Sequence, residues 1–269
     1  MPGRTLLVGC GKIGVRLGER VIAQGGEVTA IRRNAAGLPS GFRTLAADLE
    51  KPLAEPLPEF DSIVITLPPS RADSERGSIY PLALPSIADA LPSVPSRVVF
   101  VSSTRVFEGR PGPEPLTEAD APATTSPGGA ALVEGERLAR ELFDAVVVRP
   151  AGIYGPGRDS LIRRTLAGDA IDRTRRTNRI HETDLVRLLE VLLRAEAPPV
   201  LVHGVDEEPV LQGEVVAFIA AQLGVPVPPA VDPPVGGGTV LDGSLLLSLL
   251  GELRYPTFRD GYAEMIAER

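Results

Sequence analysis

The stretch Thr5-Leu6-Leu7-Val8-Gly9-Cys10-Gly11-Lys12-Ile13-Gly14 decides the fold of this 269-residue chain. Its first four residues suit a buried strand, three glycines follow within six residues, and apolar residues then recur at helical spacing as far as Ile22. Gly25-Gly26 ends that helix, and Val28-Thr29-Ala30-Ile31 predicts a second strand. Residues 5–31 therefore predict strand, glycine turn, helix and strand in one βαβ unit.

The same alternation continues along the chain. Short valine- and isoleucine-rich runs predict further buried strands at 62–67, 97–102, 144–149 and 200–203, and helical spacing predicts helices at 78–91, 130–142 and 183–195. Near-continuous apolar strands alternating with helices favour a mostly parallel sheet covered on both faces. We predict an α/β fold, a doubly wound parallel sheet of the Rossmann type, with a small C-terminal substrate lobe.

The glycines of the opening stretch have the spacing Gly-x-Gly-x-x-Gly, which indicates dinucleotide binding when it joins a strand to a helix. Gly9 permits a tight turn, Gly11 lets the backbone approach a pyrophosphate, and Gly14 allows close helix–strand packing. The helix N-terminus adds positive potential for the phosphates. The predicted cofactor-binding residues here are Gly9, Cys10, Gly11, Lys12, Ile13 and Gly14, although Cys10 also suits simple packing and Lys12 also suits solvent.

Arg32 and Arg33 follow the second strand, where an NAD-specific site would place an acidic residue against the ribose 2′-hydroxyl. Two guanidinium groups suit a 2′-phosphate instead. The sequence therefore predicts NADP(H) in preference to NAD(H), unless both arginines are merely solvated.

Composition narrows the remaining function classes. One cysteine and two distant histidines offer no metal-ligand spacing, so no metal site is expected. A net charge of −7 argues against a nucleic-acid partner, and we interpret the basic cluster Arg173-Thr174-Arg175-Arg176 as a solvated loop or a small-anion contact. The chain begins Met1-Pro2-Gly3-Arg4 without a signal-peptide pattern and has no apolar run of membrane-spanning length, which predicts a cytoplasmic protein with no membrane partner.

Lysine is the scarcest of the common charged residues. Of 28 basic residues only Lys12 and Lys51 are lysines, and none of the four tyrosines is followed by lysine four positions later. A catalytic Tyr-x-x-x-Lys is therefore absent from this chain.

Several further segments carry a family resemblance. They are Val101-Ser102-Ser103-Thr104-Arg105-Val106-Phe107-Glu108-Gly109, Leu116-Thr117-Glu118, Ser126-Pro127, Arg149-Pro150-Ala151-Gly152-Ile153-Tyr154-Gly155-Pro156-Gly157 and Asn178-Arg179-Ile180-His181-Glu182-Thr183-Asp184-Leu185. In order and spacing the chain resembles atypical or extended short-chain dehydrogenase/reductases of the NAD-dependent epimerase/dehydratase group, over essentially its whole length.

The resemblance implies roles for individual residues. Asp48-Leu49 would lie beside the adenine, and Leu67-Pro68-Pro69 would line the cofactor path. Ser102 and Pro150-Ala151-Gly152 would also bind the cofactor, the latter three beside the nicotinamide. Ser103 matches the family's active-site hydroxyl residue, with Thr104 next to it. Tyr154 is a further catalytic candidate unless it only shapes the wall of the site, and Ile153, Arg158 and Asn178 would face the substrate. Glu108 and Glu134 are weaker candidates, and His181 and Asp184 are expected to be mainly structural.

One departure from the family pattern limits the prediction of activity. Where the family places its catalytic Tyr and Lys, after Ser126-Pro127, this chain has Gly128 and Leu132. General acid–base catalysis is worth about 10²–10⁴-fold, so its loss would impair the usual mechanism and leave dinucleotide binding intact. If this were the only defect, Gly128→Tyr with Leu132→Lys would restore carbonyl reduction.

Two functions remain open at this point. The first is a nicotinamide-dependent oxidoreductase or epimerase acting on a small carbonyl or hydroxyl substrate, such as a sugar or sugar nucleotide. The second is a non-catalytic NADP(H)-binding sensor or regulatory protein. We expect residues 1–152 to form the dinucleotide-binding domain and 153–269 the substrate lobe, interleaved with returning elements at about 179–205. The resemblance also allows a homodimer, through helices in the 78–91 and 130–142 segments.

Overall fold

The structure is a computed structural model that describes residues 3–34, 36–69 and 77–269. Met1 and Pro2, which enter the prediction of location, lie outside these ranges. No helix among the described residues is long and apolar enough to cross a membrane.

Within the described ranges, the strands are β1 (Arg4–Val8), β2 (Glu27–Arg32), β3 (Arg43–Ala46), β4 (Ser62–Ile65), β5 (Arg97–Val101), β6 (Pro115–Leu116), β7 (Val146–Pro150), β8 (Gly152–Tyr154), β9 (Arg176–Thr177), β10 (Arg179–His181), β11 (Leu201–Gly204), β12 (Val210–Leu211) and β13 (Val240–Leu241). The α-helices of the same ranges are α1 (Lys12–Ala23), α2 (Tyr80–Ala90), α3 (Pro127–Phe143), α4 (Ser160–Ala167), α5 (Glu182–Arg194), α6 (Gln212–Leu223), α7 (Ser244–Leu250) and α8 (Phe258–Ala267). A short 3₁₀ helix spans Thr104–Phe107.

A parallel sheet confirms the predicted fold class. Among the described residues it has seven strands in the order β11-β7-β5-β4-β1-β2-β3, and helices flank it. Its inner strands are almost wholly buried, as their continuous apolar runs predicted. The chain passes from β1 outward to β2 and β3, then returns to the other side of β1 with β4. This reversal leaves the carboxyl ends of β1 and β4 side by side at a topological switch point, where open α/β sheets bind ligands.

The strand β3 was not predicted from the sequence. All four of its residues are exposed, and it pairs only with β2 in the described sheet. An edge strand without a buried face lacks the apolar run that marks a central strand. The formation of β3 therefore depends on its backbone hydrogen bonds with β2.

The chain divides into two compact units. The first contains Met1–Val106, Thr124–Arg149 and Val186–Val202, and the second contains Phe107–Ala123, Pro150–Leu185 and His203–Arg269. In the second unit, two proline-rich stretches pair with one another: β6 and β13 form a short parallel ladder, and the Gly112 amide donates to the Gly238 carbonyl at 3.1 Å.

Candidate functional site

The glycine turn between β1 and α1 lies at the switch point of the sheet. Gly9 has a φ of +78°, a left-handed conformation that glycine adopts without steric cost. A Cβ at Gly9 would also lie only 3.0 Å from the Leu67 backbone nitrogen, at the end of the neighbouring strand. The Thr66 hydroxyl donates to the Gly9 carbonyl at 2.8 Å and fixes the turn against β4. This first glycine is therefore required by the fold itself.

The second glycine is required by neither conformation nor packing within the protein. Gly11 is the N-cap of α1 with a φ of −88°, which any residue can adopt. The closest atom that a Cβ there would meet is the Gly9 carbonyl oxygen, at 3.9 Å. No side chain among the described residues caps this helix start, and its first turn contains no acidic residue. Open space and a helix start without a side-chain cap thus coincide at Gly11, the combination that a bound pyrophosphate needs.

Gly14 lies on the opposite side of the turn, where α1 meets the sheet. Its Cβ would lie 3.2 Å from the Cys10 sulfur and 3.8 Å from the Thr66 hydroxyl oxygen. Ile13 is also buried here, while Lys12 is exposed. These three environments are consistent with the roles predicted for the glycines: Gly9 in the tight turn, Gly11 in the approach of a ligand and Gly14 in helix–strand packing.

Cys10 is 1% exposed, and burial raises the pKa of its thiol to about 11, with the positive charge of Arg32 acting in the opposite direction. The thiol is therefore protonated at neutral pH and a poor nucleophile. This geometry favours the interpretation of Cys10 as a packing residue within the loop.

Arg32 ends β2 and reaches toward the glycine turn. Its Nη1 donates to the Cys10 carbonyl at 3.4 Å, while Arg33 is exposed. One of the two predicted phosphate-binding arginines is thus held beside the turn by a hydrogen bond.

The remaining predicted cofactor residues of the first unit follow neighbouring strands. Asp48 is exposed and accepts from the Glu50 amide at 3.3 Å, whereas Leu49 and Leu67 are buried. Pro68 and Pro69 extend from β4 with partial to full exposure. Their contacts with an adenine or a nicotinamide stay predictions.

Ser102 is part of a buried polar network that the sequence did not predict. Its hydroxyl donates to Glu136 Oε1 at 2.6 Å, and Arg149 donates to both oxygens of the same carboxylate at 2.9 and 2.8 Å. The Ser102, Glu136 and Arg149 residues are at most 7% exposed. The network joins the ends of β5 and β7 to α3. Glu136 belongs to the same helical face as Leu132, one turn earlier, and this spacing was the available signal.

The candidate hydroxyl residues Ser103 and Thr104 lie directly beyond β5, both partly exposed. The Ser103 hydroxyl oxygen accepts from the Arg105 amide at 3.2 Å. Both residues are therefore partly accessible to a ligand.

The two positions at which the resembled family has its catalytic pair have different surroundings. Leu132 is 2% exposed and belongs to the buried face of α3, so a lysine there would bury its charge. A Cβ at Gly128 would lie 2.8 Å from Arg105 Nη1 and 3.0 Å from its Cζ. The guanidinium of Arg105 therefore occupies the space in which a side chain at 128 would begin. In the double variant Gly128→Tyr with Leu132→Lys, the tyrosine would have to displace this guanidinium and the lysine would bury its charge.

Tyr154 belongs to the core of the second unit. It is 2% exposed, its hydroxyl donates to the Thr257 carbonyl at 3.2 Å, and its ring stacks on Tyr262 with centroids 4.8 Å apart. Burial is the largest cause that raises its pKa far above the usual tyrosine value. These contacts favour the interpretation of Tyr154 as a structural residue, and its catalytic role stays a prediction.

His181 has the contacts of a satisfied core histidine, as expected. It is 3% exposed, its ring lies 3.7 Å from that of Tyr255 between centroids, and its Nδ1 accepts from the Thr183 amide at 3.2 Å. The carboxylate of Asp184 accepts from the amides of Arg254 and Tyr255, both at 2.9 Å. Both residues therefore organise the second unit.

The predicted substrate residues also lie in the second unit. Ile153 is in β8 and pairs with Ile180 of β10. Arg158 is 31% exposed over its side chain and pairs with the buried Glu182 carboxylate at 3.3 Å. The Asn178 amide group donates to the Thr239 carbonyl at 2.9 Å and accepts from the Leu241 amide at 3.0 Å, which holds the strand β13. Pro150 and Ala151 are buried and Gly152 is exposed.

The weaker catalytic candidates differ in their surroundings. Glu134 is partly exposed on α3 and pairs with Arg137 at 2.7 Å, which supports its interpretation as a surface residue of the helix. Glu108 is partly exposed just beyond the 3₁₀ helix. No group of three or more metal-ligating side chains occurs within residues 3–34, 36–69 and 77–269.

Comparison with known proteins supports the resemblance. No protein-family model matches the chain. Protein YeeZ of Escherichia coli K12 is 28% identical over 271 aligned positions, which cover 94% of this chain and 96% of that protein.

Solved structures match almost the entire chain. A protein of Methylobacillus flagellatus provisionally assigned as an NAD-dependent epimerase/dehydratase is 29% identical, with a TM-score of 0.83 and coverage of 98% of both chains. MoeE5, solved in complex with UDP-glucuronic acid and NAD, is 25% identical with a TM-score of 0.79 and the same coverage. Structural neighbours of the chain are thus proteins of the NAD-dependent epimerase/dehydratase group, as the sequence motifs indicated.

Proposed function

We propose that the chain binds a nicotinamide dinucleotide at the glycine turn and serves as an oxidoreductase or epimerase for a sugar nucleotide or a related small carbonyl or hydroxyl substrate. The open N-terminus of α1 carries this proposal. Gly11 has space above it, the first N–H groups of the helix have no capping side chain among the described residues, and the turn lies at the switch point. MoeE5 binds NAD with UDP-glucuronic acid, and this supports both the cofactor class and the substrate class.

Within this proposal, NADP(H) is the preferred dinucleotide. Arg32 is held on the Cys10 carbonyl beside the turn, so its positive charge lies near the region where the adenosine ribose of a bound dinucleotide would lie, and the exposed Arg33 follows it. The solved complex of MoeE5 contains NAD, so this chain would differ from that neighbour in the charge offered to the ribose.

The dinucleotide supplies or accepts the hydride when bound. The chain's own residues would bind and orient: the amides at the start of α1 hold the pyrophosphate, and the Ser103 and Thr104 hydroxyls donate hydrogen bonds to a substrate oxygen. Tyr154 is the third catalytic candidate. Ile153, Arg158 and Asn178 are proposed on the substrate side.

A non-catalytic dinucleotide sensor is the second candidate function. It is favoured by one observation, the replacement of the family's acid–base pair by Gly128 and Leu132. Neither residue can transfer or tune a proton. Neither candidate function depends on the predicted homodimer or on the predicted cytoplasmic location, and both stay predictions.

Titration of the protein with NADPH and with NADH tests the proposed cofactor preference. We expect NADPH to bind more tightly than NADH, by about tenfold or more, since charge-assisted hydrogen bonds contribute about 1.5–3 kcal/mol. Replacing Arg32 and Arg33 together by alanine should remove the difference and leave NADH affinity nearly unchanged. Equal affinities in the parent protein would contradict the NADP(H) assignment, and no binding of either would overturn the dinucleotide site.

Catalysis is tested on the complex with the preferred dinucleotide. Incubation with UDP-glucose or UDP-glucuronic acid, followed by chromatography of the sugar nucleotide and absorbance of the nicotinamide, should show an epimerised or oxidised product. Ser103→Ala should reduce its formation by about tenfold to a thousandfold if this hydroxyl supplies a transition-state hydrogen bond. Unchanged sugar nucleotides, together with normal dinucleotide binding, would favour the sensor.

A further inference from the structure

The guanidinium of Arg105 lies at the start of α3, where the sequence did not predict a positive group. Arg105 projects from the 3₁₀ helix that follows β5, and its Nη2 donates to the Ser126 hydroxyl at 3.1 Å. Its Nη1 and Cζ lie within 3.0 Å of the point where a Cβ of residue 128 would be. The guanidinium therefore lies directly above Gly128.

Gly128 has no backbone reason to be glycine. It lies in the first turn of α3 and has none of the positive φ angles found at other glycines of the described chain. Glycine in a helix costs about 0.5–1 kcal/mol relative to alanine. The space that it leaves is used by Arg105, so the glycine and the arginine form one local arrangement.

Besides its positive charge, this arrangement has hydrogen-bond donors for an anion. The guanidinium has five N–H donors in a planar fork that matches a carboxylate. The Ser103 hydroxyl oxygen accepts from the Arg105 amide, and a hydroxyl that accepts one hydrogen bond still has its own proton to donate. Arg105 is exposed and Ser103 is partly exposed, so a ligand can reach both.

The position of these groups connects them to the candidate site. Ser103 and Arg105 follow β5 directly, and β5 lies beside β4, whose end contacts the glycine turn. All of these residues belong to the first unit. A fixed positive charge there lies at the carboxyl edge of the sheet, where a substrate would approach the dinucleotide.

We infer that Arg105, together with Ser103, binds a carboxylate of the substrate, so that the protein selects a sugar nucleotide whose sugar is a uronic acid. The inference rests on the proposed function for its substrate class. Arg105 is then a specificity-determining residue in the space where the resembled family has a tyrosine. Gly128 is the positioning residue that leaves room for it.

The matched probes are UDP-glucuronic acid and UDP-glucose, which differ only in a carboxylate against a hydroxymethyl group. Each is titrated by calorimetry into the protein saturated with its preferred dinucleotide. We expect UDP-glucuronic acid to bind about tenfold to a hundredfold more tightly. Arg105→Ala should abolish the preference, and Arg105→Lys should retain only part of it, because an ammonium lacks the planar fork. Arg140→Ala, which removes an exposed arginine from the same helix α3, serves as the control and should retain the preference in full.

Gly128→Ala separates specificity from stability. The three atoms nearest to the added methyl all belong to the end of the flexible Arg105 side chain, so the fold should tolerate the methyl, and the melting temperature should stay equal or rise. The displaced guanidinium should nevertheless lower the preference for UDP-glucuronic acid severalfold.

The outcomes distinguish this inference from the proposed function. Equal affinities for the two sugar nucleotides, binding of neither with dinucleotide binding intact, or a preference that survives Arg105→Ala would each overturn the inference alone. Failure of the parent protein to bind any nicotinamide dinucleotide would overturn the proposed function and this inference with it.

Discussion

The helix starts of α1 and α3 are built in opposite ways. At α1 the N-cap is a glycine with open space above it and no side-chain cap among the described residues. At α3 the Ser126 hydroxyl accepts from the Gly129 amide at 3.1 Å, Pro127 removes one N–H group, and the Arg105 guanidinium covers Gly128. An open start can receive an anion from outside, whereas the start of α3 is satisfied from within and adds a positive side chain. Glycine near a helix start therefore has two different consequences here: Gly11 leaves open space at α1, and Gly128 makes room for the Arg105 side chain at α3.

The largest expected effect concerns the buried ion pair that anchors α3. Glu136→Gln leaves the Arg149 charge buried without its counterion, and we expect a loss of about 3–5 kcal/mol in the free energy of unfolding, measured by urea denaturation. Glu134→Gln on the exposed face of the same helix is the control and should cost at most about 1 kcal/mol. A loss below 1 kcal/mol for Glu136→Gln would show that the pair does not hold the helix.

The next effect concerns the open start of α1. Gly11→Asp adds a carboxylate that can cap the helix, so stability should change by only a few tenths of a kcal/mol, since glycine and aspartate are both good N-caps. Dinucleotide affinity should fall by about a hundredfold or more, because the carboxylate takes the place and repels the charge of the pyrophosphate. Fluorescence titration with NADPH measures the change. Affinity within threefold of the parent would contradict the assignment of this helix start, and Gly11→Ser, a neutral cap, separates the steric from the charge contribution.

The smallest expected effect concerns the filled start of α3. Ser126→Ala removes the side-chain cap from the Gly129 amide and should lower the unfolding free energy by about 1 kcal/mol. Ser126→Asn, which replaces one good cap by another, should recover most of the loss. Because the pyrophosphate is assigned to α1, dinucleotide affinity should not change in either variant; a weakening of tenfold would place the cofactor at α3 instead.

Much of the fold could be predicted from local pattern. The buried strands β1, β2, β4, β5 and β7 were each indicated by a continuous apolar run, because both faces of an inner parallel strand are covered. The exposed edge strand β3 was not indicated. Asp206 illustrates a similar limit for charge: it is 4% exposed, and burial raises its pKa to about 8, yet nothing around it in the sequence distinguishes it from a surface aspartate.

The glycine turn and the buried side-chain contacts differ in how far the sequence could indicate them. The glycine turn is a contiguous motif whose three positions have separate physical requirements, and its setting between a strand and a helix could be predicted directly. The members of the Ser102–Glu136–Arg149 network are 13 to 47 positions apart, and Arg105 is 23 positions from Gly128. Helical spacing places Glu136 on the face of Leu132, but no local spacing indicates the partners in either contact. From the sequence, Gly128 could be interpreted only as the loss of the family's catalytic tyrosine. The structure shows that the Arg105 side chain occupies the space beside this glycine.

The sequence by itself determined the parallel α/β architecture, the glycine turn and the absence of Tyr-x-x-x-Lys, because each depends on residue types at short, fixed separations. Only the tertiary structure decided which glycine has open space beside it and which makes room for an arginine, and which charges are buried in pairs. Those properties depend on the atoms that packing brings within a few ångströms, and a linear pattern does not specify them.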